Sequence, residues 1–88
     1  MTTPHKLTLF SIVMARLQPY QKRMKPHHEL RIRYESSKTY SDSIEVTWYR
    51  YADGEMKLHG YEMYYFHENI NIHHFIDKVI DKLQPHLN

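Results

Sequence analysis

Ile72, Phe75, Ile76, Val79, Ile80, Leu83 and Leu87 recur at intervals of three and four, with His73, His74, Asp77, Lys78, Asp81 and Lys82 between them. This spacing predicts an amphipathic helix with one buried face. Asn69 or Asn71 can supply its N-cap, and Pro85 marks its exit. A second helical stripe, Leu7, Phe10, Met14 and Leu17, begins near Thr3-Pro4, where Thr can cap and Pro suits the first turn. Leu9, Ile12 and Val13 widen that stripe, so the helix is expected to be largely buried. Pro19 should end or kink it, with room for one more turn over Tyr20 to Lys25 before Pro26 sends the chain into an extended path.

Between the helices the period changes from three and four to two. Leu30, Ile32 and Tyr34 alternate with Arg31, Arg33 and Glu35, and Ile44, Val46 and Trp48 alternate with Glu45, Thr47 and Tyr49. Both runs read as strands with one buried face, joined by a polar loop over Ser36 to Ser43. Asp53-Gly54 then turns the chain into a third extended segment, Met56 to Phe66, interrupted by Gly60. The predicted fold class is α+β: helix, three-stranded antiparallel sheet, helix, with both helices packed on one sheet face. The opposite face is then open to solvent or to a partner.

The hairpin register decides what lies on that open face. A two-residue turn at Asp53-Gly54 sets Tyr49 opposite Leu58 and Tyr51 opposite Met56, leaving an apolar patch outside. A three-residue loop, Ala52-Asp53-Gly54, instead sets Trp48 opposite Leu58 and draws Met56 and Leu58 into the core. The second register buries more apolar surface and is the expected one. It places Lys57, His59 and Tyr61 beside Thr47, Tyr49 and Tyr51, with Arg31 and Arg33 on the neighbouring strand. Tyr49 and Tyr51 face outward in both registers.

The chain has 88 residues, 41% of them hydrophobic, which fits one small globular domain over residues 1–88. Without cysteine it has neither disulfides nor thiolate metal ligands, and a cytoplasmic protein is the simplest expectation. The uncharged run 7–15 is far shorter than the roughly 20 residues of a membrane span. Lys6 and Arg16 frame that run too thinly for a signal peptide. Net charge is +2, but residues 1–33 hold seven bases against one acid, and residues 34–88 hold five bases against nine acids. Either the two halves neutralise one another in the fold, or the basic segment offers a surface for phosphate or for an acidic protein.

Little in the chain points to catalysis. Two glycines leave no phosphate-binding loop, and neither a nucleophile elbow nor an HExxH pattern occurs. Eight histidines include His73, one helical turn from Asp77, a spacing able to chelate; solvated side chains on a polar helix face are the expected reading, with no metal and no cofactor. The element order is similar to that of the double-stranded-RNA-binding domain in topology alone. Where that family carries lysines facing phosphate, this chain reads Asn69-Ile70-Asn71-Ile72-His73-His74, and the aromatic-basic octapeptide of the RNA-recognition motif is missing as well.

Eight tyrosines and one tryptophan remain the most unusual feature, and Tyr with Arg is the pair enriched where proteins meet partners. The expected function is therefore a non-enzymatic protein-interaction module of the regulator or inhibitor type, binding another protein or a second copy of itself, not a membrane. Its predicted site is Tyr49, Tyr51, Arg31, Arg33, Lys57, His59 and Tyr61. Glu35 and Glu45 on the same face mix its sign, which favours protein over nucleic acid. The alternative is a nucleic-acid-binding module in which the basic cluster Lys22, Arg23 and Lys25 joins the sheet arginines at phosphates and the Tyr rings stack on bases.

Overall fold

The computed structural model describes residues 2–39 and 41–88, with side chains from residue 5 onward. The expected Thr3 cap and Tyr40 of the polar loop lie outside the described atoms. The element order is α1 (Thr2–Lys22), β1 (His28–Glu35), β2 (Ser43–Ala52), β3 (Glu55–Tyr65) and α2 (Ile72–Leu83), with short 3-10 turns at Phe66–Glu68 and Gln84–His86. The three strands form an antiparallel meander in the order β1-β2-β3. Helix α1 rests on β1, α2 rests on β3, and the helices touch one another, so the sheet is covered on one face.

Helix α2 forms where the spacing predicts it. Asn71 is the N-cap, its Oδ1 accepting from the backbone N–H of His73 at 2.8 Å, and Ile72, Phe75, Ile76, Val79 and Leu83 are buried. Helix α1 departs from expectation in part of its buried stripe. Its buried residues are Val13 and Leu17, and the apolar neighbours packed on the core include Phe10 and Tyr20, while Leu7 and Met14 are exposed. The contacting stripe thus runs 10, 13, 17, 20, displaced from the one based on Leu7 and Met14. Of the two outcomes expected at Pro19, the helix does not end there, and the further turn continues it to Lys22. Ala15 and Pro19 are both exposed, so the carbonyl that loses its intrahelical partner at Pro19 lies on the wet side.

The sheet places Leu30 opposite Trp48, Ile32 opposite Val46 and Tyr34 opposite Ile44, as the alternation requires. The β2–β3 hairpin corrects the expected three-residue loop. Ala52 pairs with Glu55, and the two residues between them, Asp53 (φ 55°) and Gly54 (φ 76°), are both left-handed, as in a primed two-residue turn. Local turn chemistry prevails over the burial of Met56 and Leu58, which face outward with Tyr51 and Tyr49. The register then slips: Tyr49 pairs with Leu58 but Trp48 with Gly60, leaving His59 as an extra residue in a β-bulge. This slip restores the buried side of β3 further along, setting Tyr64 opposite Ile44 in the core. Gly60 is needed at the slip because a Cβ there would lie 2.5 Å from Cζ2 of the Trp48 ring.

Polar ties hold the connections. Asp42 accepts from the Tyr34 hydroxyl at 2.5 Å and from the Ser37 backbone N–H at 3.0 Å, and Lys6 of α1 lies 3.6 Å from it. The Tyr34 bond holds the Asp42 carboxyl below its ordinary range, while burial and then Asp42 itself push the Tyr34 hydroxyl up to about 12. Glu62, on the helix-covered face of β3, pairs with Lys78 and Lys82 of α2. Arg16 of α1 bonds Asp77 of α2 at 2.8 Å. The basic and acidic halves of the sequence therefore meet across the helix layer. Beyond α2, Leu87 is buried and bridges to Met24, and the N–H groups of Lys25 and Asn88 donate to the carbonyls of His86 and Arg23.

Ile76 is fully buried, so Ile76→Asp should unfold the domain: an unpaired buried carboxylate costs upward of about 4 kcal/mol, comparable with a small domain's whole stability. A cooperative melt near the parent temperature would contradict this packing. Gly60→Ala should destabilise by about 1–3 kcal/mol through collision with Trp48, and Trp48→Phe should relieve part of that loss. Denaturant titration of the two single variants and the double variant measures the coupling, and strict additivity would rule the collision out.

Candidate interaction face

Two-residue alternation sends every second side chain of the sheet away from the helices. Across the open face the cross-strand rows are Glu29–Tyr49–Leu58, Arg31–Thr47–Tyr61 and Arg33–Glu45–Met63, with Tyr51–Met56 at the hairpin end. Its two sides differ in chemistry. Along β1 the arginines are held within the plane of the face: Arg31 lies 3.3 Å from Glu29, and Arg33 lies 3.4 Å from Glu35 and 3.3 Å from Glu45. Arg31 also stands over the Tyr49 ring, 5.2 Å from its centroid. Towards β3 the surface is apolar and aromatic: Tyr51, Leu58 and Tyr61 are each more than half exposed. An open groove of about 450 Å3 crosses β1 and β2 between Glu29, Arg33, Glu45 and Tyr49.

The structure brings together five of the seven predicted face residues, Tyr49, Tyr51, Arg31, Arg33 and Tyr61. Lys57 and His59 are not among them. The two-residue turn pairs Lys57 with Arg50, on the helix-covered side of the sheet, and the bulge turns His59 towards His28 and His86. Met56 and Leu58 occupy the outward positions instead. Lys22, Arg23 and Lys25 lie at the end of α1 and in the segment that follows it, not in the rows of the open face. There Arg23 stacks over Tyr20 at 5.6 Å and Lys25 donates to the Pro85 carbonyl at 2.9 Å. His73 and Asp77 both engage Arg16, so the chelating spacing is taken up by an interhelical tie. Among the described residues no group of three His, Asp or Glu side chains is arranged to hold a metal. No described helix is long and apolar enough to cross a membrane.

A second cluster has no signature in the sequence. His28 at the start of β1, His59 in the bulge and His86 in the last 3-10 turn meet at one corner, with ring centroids 5.3–6.3 Å apart. The Nδ1 atoms of His28 and His86 are 3.2 Å apart. One of them must donate and the other accept, which two neutral rings can do and two imidazolium rings cannot. Burial is the largest cause that lowers both pKa values; the next are Arg50 for His28 and His28 itself for His86. Only the bulge and the pairing of the 23–25 segment with the chain's last residues create this corner, and neither leaves a trace in hydrophobic periodicity.

A histidine whose folded pKa lies below the unfolded value of about 6.5 binds fewer protons when folded. Its stabilising contribution is complete above that value and is lost as the pH falls from 6.5 through the folded value. The melting temperature should therefore drop between pH 7.5 and pH 5.5, and His86→Gln should flatten the drop. An unchanged slope in His86→Gln would detach the corner from stability. Comparison with family models, curated proteins and solved structures finds no match for this chain.

Proposed function

We propose that the chain is a non-enzymatic protein-interaction module that docks a protein surface on the open face of its sheet, as a regulator or inhibitor does. The observation that carries this proposal is the division of that face. Exposed Tyr51, Leu58 and Tyr61 form an apolar patch, while Arg31 and Arg33, the two bases beside it, are already satisfied by Glu29, Glu35 and Glu45. A phosphate backbone would have to displace those carboxylates, whereas a protein surface can cover the apolar patch and leave the ion pairs as its rim. The partner favoured is thus an apolar protein surface with a mixed-charge border, in another protein or in a second copy of the chain. A cytoplasmic setting belongs to the same proposal, since a chain without cysteine needs no oxidising compartment.

Nucleic acid stays as the second reading because Lys22 is exposed and makes no ion pair among the described residues, and Lys25 lies close by in the chain. The two readings respond differently to salt. Replacing Tyr49 and Tyr51 with Ser should change folding stability little and weaken binding or self-association by about thirtyfold, the effect of losing about 2 kcal/mol at a hot spot. Sedimentation of the parent and the double variant across a concentration series reads self-association, and binding to purified candidate partners reads the other case. Loss of several kcal/mol of folding stability with binding per folded molecule unchanged would place the tyrosines in the core and overturn the proposal. Affinity for a single-stranded oligonucleotide that collapses with salt and disappears when Lys22, Arg23 and Lys25 are replaced would transfer the function to nucleic acid.

A further inference from the structure

The corner formed by His28, His59 and His86 collects basic groups from every segment around it. The charged side chains that bear on His28 are Arg50, His59, Lys25 and His27, and those that bear on His86 are His28, His59 and Lys25. No carboxylate is among them. The Arg50 side chain makes no ion pair or hydrogen bond among the described residues, and its partner on β3 is another base, Lys57. By contrast, Arg16, Arg33, Lys78 and Lys82 are each matched with an acid. The turn that feeds the corner is also strained, because His27 holds a left-handed φ of 67°, a position that glycine or asparagine fills more easily.

Two ligands suit converging imidazoles, a metal cation and an anion. The 3.2 Å between the Nδ1 atoms of His28 and His86 is close to the roughly 3.3 Å edge of a tetrahedral site with metal–nitrogen bonds of about 2.0–2.1 Å. A third donor does not converge with them, however, and Arg50 and Lys25 repel a cation. For an anion every one of these terms changes sign. A tetrahedral oxyanion accepts from several directions at once, which matches donors arriving from β1, β2, β3 and the last turn better than a planar carboxylate does.

We infer that this corner is a binding site for a doubly charged oxyanion, a phosphate or sulfate group, held by the ring N–H groups of His28 and His86 with Arg50, Lys25 and His59 around it. The bound anion satisfies two imidazolium rings that could not otherwise stand 3.2 Å apart. Binding therefore strengthens as the rings take up protons, and by linkage the anion raises the pH at which they do so. This site is independent of the open sheet face, and either can fail without the other.

Sulfate stays doubly charged between pH 5 and 8, so its titration at constant ionic strength isolates the protein's own protons. Sulfate should bind about tenfold more tightly at pH 5.5 than at pH 7.5 and should restore part of the melting temperature lost at the lower pH. In NMR spectra the ring signals of His28, His59 and His86 should move with sulfate, and those of His5, His73 and His74 should not. Arg50→Gln should weaken sulfate binding about fivefold or more while leaving the melting temperature at pH 7.5 in place, because Arg50 is exposed and unpaired. Parallel titrations with inorganic phosphate and phosphoserine separate the sources: equal affinity assigns the site to phosphate esters, and preference for inorganic phosphate assigns it to the free anion. Affinity independent of pH, equal shifts at all histidines, or zinc binding in place of sulfate binding would each overturn the assignment.

Discussion

The contact of Trp48 with Gly60 is the constraint on which the rest of the sheet depends. Trp48 is the largest residue of the core, and it occupies the space that any side chain at position 60 would need. Setting it opposite a glycine requires the register slip between Trp48 and Tyr49. That slip sets which residues of β3 reach the helices and which reach solvent. Without it the two-residue turn would carry Met56 and Leu58 outward and keep every odd-even assignment fixed to the end of the strand, so that Tyr64 would leave Ile44 and the core. One extra residue lets an outward apolar patch and an inward tyrosine coexist on a single strand.

Helix α2, the pairing of β1 with β2 and the helix-sheet-helix order were legible because each rests on hydrophobic periodicity, which local geometry converts directly into a buried face. The hairpin departs from expectation for a specific reason. Burial of Met56 and Leu58 favoured a three-residue loop, but Asp53 and Gly54 accept left-handed backbone together, and a primed turn needs no third residue. Lys57 and His59 were assigned to the open face by that register and lost with it. On α1 the stripe Leu7, Phe10, Met14 and Leu17 is half right: Phe10 and Leu17 pack on the core, but apolar residues occur on nearly every side of that helix, so periodicity alone does not exclude Leu7 and Met14. Tyr49 and Tyr51 are legible on the outer face because both hairpin registers turn them outward, whereas Tyr61 reaches that face through the bulge, which sets it opposite Thr47.

The distribution of charge is resolved in the same way. A basic first third and an acidic remainder could mark a polyanion surface, yet Lys6–Asp42, Arg16–Asp77 and Arg33–Glu45 join the two across the fold. Arg50 escapes this neutralisation at the end of the sheet where it gathers with His28 and His59 from the neighbouring strands. Exposed ion pairs add little to stability, about 1 kcal/mol or less each, so their main effect is on which surfaces still carry a net field.

The bulge at His59 has a further effect outside the core. Strand β3 has no neighbour on its outer side, and an uninterrupted edge of its eleven residues would be a template for strand addition by another chain. An extra residue in the middle of the edge breaks the even spacing of its free N–H and C=O groups and increases the local twist, so an incoming extended segment could keep register over only half the strand. The molecule can thus expose tyrosines on the flat of its sheet while its rim resists the open-ended stacking that such surfaces invite.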